Sequence, residues 1–142
     1  MSSCGSHLRL GVANRLSEAI ERIYHHWSED DTERLVFEDD RGVVVGLGII
    51  NFWAWNKIAW IWDLWVDKSE RGRRYGTALL KGMLKAAKRG GARVMMHVGP
   101  PNPHDCSLAE LLVYNGFRVC GLNDRWFADQ KNATAVFYGY DL

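Results

Sequence analysis

The stretch from Leu64 to Leu80 constrains the fold more than any other part of the chain. Residues 62–66 are apolar and β-rich, with Leu64 and Val66 on one face and Asp63 and Trp65 on the other. A basic loop follows, carrying Arg71, Gly72, Arg73, Arg74, Tyr75, Gly76 and Thr77, and a helix closes it. The first N–H groups of a helix have no intrahelical partner, and that end carries roughly half a positive charge. A strand, a basic loop and a helix start therefore make a seat for phosphate. Glycine lets the backbone approach such a ligand closely.

The flanking sequence supplies the other elements. Residues 1–7 have no apolar signal core and read as a loose tail, with a short strand at 8–10. Asn14 can cap a helix over 15–27 whose apolar face holds Leu16, Ile20, Ile23 and Trp27. Strands are expected over 34–38 and 43–55, with Gly46 and Gly48 allowing a bend or bulge. Residues 56–57 connect to a returning strand over 58–66. The central helix spans 74–89, buries Leu79, Leu80, Met83, Leu84 and Ala87, and stops at Gly90-Gly91. A strand at 92–98 then follows, so the strand–helix–strand order implies a parallel crossover. Ser107-Leu108-Ala109-Glu110 is a capping box for a short helix ending near Gly116. Strands over 117–127 and 133–141, with a turn at 129–132, complete one domain over 1–142.

The pattern Val66-x-x-x-x-Arg71-Gly72-x-x-x-Gly76-x-x-Leu79-Leu80 resembles motif A of the GNAT N-acetyltransferase superfamily. Its usual loop is Gln/Arg-x-x-Gly-x-Gly/Ala. Arg71 fills the first position and Gly76 the last, while Arg74 stands where a middle glycine is usual and offers a charge-assisted contact instead. Gly116-Phe117 resembles the close of motif B, commonly Asn-x-x-Ala-x-x-Leu-Tyr-x-x-x-Gly-Phe. Here Asp105, Leu108 and Leu111 fall on the first three named positions. Leu112 falls on the tyrosine that often protonates the departing thiolate, so the usual acid is absent; Tyr114 is the nearest substitute.

The resemblance implies an α+β fold: a mixed, mostly antiparallel sheet flanked by helices, with a splayed parallel strand pair that holds acyl-CoA. It implies acetyl-CoA as co-substrate, with the pantetheine arm beside Leu64, Trp65 and Val66 and the pyrophosphate over Arg71 to Thr77. The acceptor it implies is a small-molecule or peptide amine. A lysine-like amine is neutral for only about one part in 2,500 at pH 7, a cost of about 4.6 kcal/mol, so the site needs a base or a water chain ending in one. Asp63 is the best placed, and its competing role is a salt bridge to a nearby arginine. His97 and His104 are alternative relays.

Composition narrows the rivals. A net charge of +1 on 142 residues argues against a large nucleic-acid footprint. Cys4, Cys106 and Cys120 have neither metal nor disulfide-framework spacing, which fits a reducing cytoplasm. No apolar run is long enough to span a membrane. Five of the seven tryptophans fall between Trp53 and Trp65. They suit an acceptor surface, packing against a helix, or a homodimer interface. A CoA-binding module without turnover is the second reading, and a nucleic-acid binder the third.

Overall fold

The structure, a computed structural model, describes residues 7–10, 31–67, 75–99, 107–127 and 133–142, the first four as backbone alone. The expected helix over 15–27, the turn at 129–132, residues 71–74 and 104–106, and Cys4 lie outside the described residues. Seven strands form one sheet in the order β1-β2-β3-β4-β5-β7-β6. They are β1 (His7–Leu10), β2 (Thr32–Glu38), β3 (Val44–Trp53), β4 (Ile58–Val66), β5 (Val94–Gly99), β6 (Arg118–Asn123) and β7 (Ala135–Asp141). Among the described residues two helices, α1 (Tyr75–Arg89) and α2 (Ser107–Tyr114), connect β4 to β5 and β5 to β6. Only β4 and β5 pair in parallel; every other neighbouring pair is antiparallel. The fold is thus the mixed, mostly antiparallel α+β arrangement expected. His7, placed in the loose tail by its sequence, is the first residue of β1 and pairs with Glu38.

Local chemistry sets the element ends. Asp39 organises the β2–β3 turn: its carboxylate accepts the N–H groups of Arg41 and Val43 and the Arg41 guanidinium. The Arg41 side chain is the main reason the Asp39 carboxyl lies below its ordinary range. Strand β3 stops at Trp53, two residues short of the expected end, because a four-residue turn over 54–57 leads into β4. In that turn Asn56 Oδ1 accepts the Ile58 N–H, and Lys57 takes a positive φ of 55°. Strand β6 ends at Asn123, whose side chain accepts the Arg125 N–H in an Asx turn, so the expected extension to Phe127 does not form. Both helices end on a glycine of positive φ, Gly91 and Gly116, which L side chains rarely adopt.

The core lies mainly between the sheet and the two helices. Leu79, Leu80, Met83, Ala86 and Ala87 of α1 and Leu112 of α2 meet Leu35, Ile50, Ala59, Ile61 and Met95 of the sheet. Ala86 takes the buried place expected of Leu84, which is only half-buried. The expected bulge forms beside Gly46, where Val45 is an extra residue of β3 against β2, and Gly48 allows close approach: a Cβ there would stand 2.5 Å from Met83 Sδ. On the opposite sheet face, Trp62 and Trp65 pack on Val36, Leu47 and Ile49. Trp53, Met96, Val98 and Phe137 surround Ile58, Trp60 and Val94.

Candidate functional site

The parallel ladder between β4 and β5 is short. It holds Ile58↔Val94, Ala59↔Met95 and Trp60↔Met96 and then stops. Beyond it, β4 stays paired to β3 as far as Val66. Strand β5 stays paired to β7 as far as Gly99. Two well-anchored half-sheets therefore part from each other and leave a fork at the carboxyl ends of two parallel strands. That is where open sheets with parallel strands receive ligands.

Helix α1 starts at the same end. A Cβ on Gly76 would lie 3.9 Å from Val66 Cγ2, so the first turn of the helix sits beside the end of β4. That turn contains no acidic residue, whereas Lys88 and Arg89 occupy the last one. Its N-terminal N–H groups and partial positive charge are thus not offset by a carboxylate of the helix. Of the residues expected to hold the cofactor, the structure brings together Leu64, Trp65 and Val66 at the end of β4 and Tyr75, Gly76 and Thr77 at the start of α1. Arg71, Gly72, Arg73 and Arg74 lie outside the described residues. Tyr75 turns its ring onto Phe37 at 4.7 Å between centroids. Gly76 has a packing role: its Cβ position is 3.3 Å from Leu111 Cδ2 of α2. In Gly76→Ala the displacement of Leu111 by a few tenths of an ångström opposes the roughly 1 kcal/mol that alanine gains over glycine in a helix, so the substitution is expected to be more favourable in a Leu111→Ala background than in wild type. Thermal melts of the four proteins check this, and equal shifts in the two backgrounds would mean that α1 and α2 do not meet there.

Asp63 is presented by an irregularity. Ile49 pairs with Asp63 but Ile50 pairs with Ile61, so Trp62 is an extra residue in β4. Such a bulge shifts the alternation of side chains. It puts Asp63 on the sheet face of Ile49, away from α1, and brings Trp65 to the same side as Trp60 and Trp62. Sequence alternation alone would send Trp65 the other way from those two. Leu64 and Val66 share the other face, as expected, and that face is the one toward α1. Asp63 is half-buried and makes no salt bridge among the described residues; the loop arginines of the competing role lie outside them. Burial raises its carboxyl above the ordinary range, partly offset by the Leu64 N–H. Nearby, Trp60 Nε1 is buried without a hydrogen-bond partner.

His97 stands where the fork opens. Its Nδ1 lies 3.1 Å from the carbonyl oxygen of Ile61, the first residue of β4 past the ladder. Burial holds the ring below its ordinary pKa, against a smaller opposing effect of that carbonyl. The Tyr138 ring, from the β7 residue opposite His97, stacks at 6.5 Å. Sequence reasoning named His97 as a relay but missed this contact and Tyr138, because both depend on strand register and on where the ladder ends. Two further residues of the family pattern lie on α2. Leu112 is fully buried in the core. Tyr114, the substitute acid, ends α2 with 86% of its surface exposed.

Among the described residues there is no cluster of groups suited to a metal ion, and no helix is long and apolar enough to cross a membrane. A family model described as the acetyltransferase (GNAT) family matches residues 6–112. No curated protein matches the chain. Solved structures do. IAA acetyltransferase from Bacillus cereus ATCC 14579 is 18% identical with a TM-score of 0.68, over 89% of this chain and 85% of that one. A GNAT family acetyltransferase from Elizabethkingia anophelis, with acetyl-CoA bound, is 13% identical with a TM-score of 0.70, over 96% and 97%. Nourseothricin acetyltransferase is 20% identical with a TM-score of 0.64, over 80% and 67%. At these identities the likeness is one of fold.

Proposed function

Starting from the fact that the chain belongs to the GNAT acetyltransferase family, we propose that it moves an acetyl group from acetyl-CoA directly to an amine, without a covalent enzyme intermediate. The observation that carries this reading is the fork between β4 and β5 with the start of α1 beside it. Acetyl-CoA has an extended amide-bearing arm and an anionic end. A strand edge suits the first by β-strand addition, and a helix N-terminus without carboxylates suits the second. Leu64, Trp65 and Val66 would hold the arm, and Tyr75, Gly76 and Thr77, with Arg71, Gly72, Arg73 and Arg74, the diphosphate. Bound there, the co-substrate supplies an activated thioester carbonyl. A backbone N–H of β4 near Val66 polarises that carbonyl.

Asp63 is the base in this reading. It receives the proton of the incoming ammonium, directly or through water, and its raised pKa brings it closer to the operating pH. Trp62 and Trp65 would wall the acceptor side of the same face, where an aromatic ring attracts a cation. The relatives named for IAA and nourseothricin have different acceptors, so fold alone leaves the amine open. The test is calorimetric titration with acetyl-CoA, CoA and ATP. A micromolar Kd for both CoA forms, with ATP at least tenfold weaker, is expected. No binding at millimolar CoA would remove the reading.

A further inference from the structure

The bulge at Trp62 breaks the regular pleat of β4 just past the end of the ladder, and one buried backbone group at the fork remains to be accounted for. Ile61 is 2% exposed, so its carbonyl needs a partner inside the protein. In a continued ladder that partner would be a β5 backbone N–H, and each such rung would narrow the cleft. Here the His97 side chain takes the carbonyl instead, at 3.1 Å. A carbonyl only accepts, so Nδ1 carries the proton and Nε2 is left with its lone pair. The ring is further located by Tyr138 on its strand neighbour and by the absence of a side chain at Gly99, where a Cβ would come within 3.2 Å of Nε2.

We propose that His97 is a positioning residue that holds the β4–β5 fork open, its Nδ1–H occupying the Ile61 carbonyl that would otherwise extend the ladder. This rests on the acetyl-CoA reading of the cleft and adds to it the device that keeps the cleft pre-formed. Binding to a pre-formed cleft avoids the cost of first separating the strands. His97 acts through the backbone of β4 and touches no reacting atom in this role.

Three variants separate the donor from the ring. In His97→Asn the side-chain amide nitrogen falls near the place of Nδ1 and can still donate. His97→Ala removes donor and ring, and His97→Phe keeps a ring without a donor. Acetyl-CoA affinity is expected to weaken about tenfold in the Ala and Phe variants, the scale of one lost buried hydrogen bond, and to stay within about threefold of wild type in the Asn variant. In steady state KM for acetyl-CoA should rise in the Ala and Phe variants while kcat at saturation holds. Imidazole nitrogen-15 shifts of the unliganded wild type should show Nδ1 protonated and Nε2 bare. An Asn variant as weak as Ala, an Ala variant as tight as wild type, or a proton on Nε2 overturns the clamp. Wild-type protein that fails to bind acetyl-CoA overturns the cleft reading itself. Wild type that binds without rescue by Asn overturns the clamp alone.

Discussion

Asp63→Asn is expected to lower kcat between about a hundredfold and ten-thousandfold, the range of a lost general base, and to leave acetyl-CoA affinity unchanged. The same substitution should raise the melting temperature at neutral pH. The sign follows from burial. Asp63 has a folded pKa above the ordinary 3.8, so the stability it contributes is fully present below that value and is lost as pH rises through its folded pKa. Above that point the buried charge weighs against the fold. Asparagine carries no charge, so the stability gap between variant and wild type should open as pH rises from about 4 and then level off. For a domain of this size each kcal/mol moves the midpoint by roughly 4 °C. The wild-type pH–rate profile should contain a limb at the raised pKa that the variant lacks. Turnover within twofold of wild type would strike Asp63 from the site. A large loss of turnover with a lower melting temperature at pH 7 would instead mark it as a structural acid.

Activity and stability are thus expected to move in opposite directions at one residue, as happens where a charge is kept half-buried for chemistry. His97 has the opposite pH dependence. Its pKa is lowered by burial, so its contribution is present above about 6.5 and is lost as pH falls through the folded value. The two groups therefore lose their contributions to the fold in opposite pH directions.

What the sequence made legible was local. Strand β4 begins and ends where alternation and the Asn56-Lys57 turn put it, and α1 ends at the glycine pair that was read as its stop. Its buried stripe was right except that Ala86 replaced Leu84, a choice made by how the helix rolls on β3 over Gly48. The bulge at Trp62 could not be read, because a bulge is a mismatch between two strands and neither strand alone shows it. Asp63 reached its face regardless, since the residues after the bulge keep their own alternation. The tryptophans of β4 do share one face, but only because the extra residue returns Trp65 to the side of Trp60 and Trp62. The clamp of His97 on Ile61 required knowing where a ladder stops, which is a property of the assembled sheet. Gly76 was read for phosphate and was found packed on Leu111, a helix–helix contact with no mark in the motif.

The remaining test concerns the acid that the family pattern would supply. Leu112→Tyr restores the usual residue type at that position, yet it is expected to destabilise the protein and not to raise kcat. Leu112 is fully buried among α1, Phe117 and the sheet. Its carbonyl is tied to the Phe117 N–H at 3.0 Å in the closing turn of α2, so the backbone there cannot easily swing outward. A tyrosine adds volume to a packed site, at about 1–3 kcal/mol, and a hydroxyl that needs a partner, at about 1–3 kcal/mol more. A proposed transfer without this acid is chemically reasonable. A thiol of pKa near 8.5 is already a modest base as its thiolate and takes a proton from water at pH 7, whereas the attacking amine must lose one against a pKa near 10.4. The larger burden falls on the base, and therefore on Asp63. Thermal melts and turnover of Leu112→Tyr, with Tyr114→Phe as the exposed control, decide the matter. A lower melting temperature with flat kcat is the expected pair. A stable Leu112→Tyr that turns over faster would mean that position 112 faces the thiol after all, and that the fork lost an acid it can use.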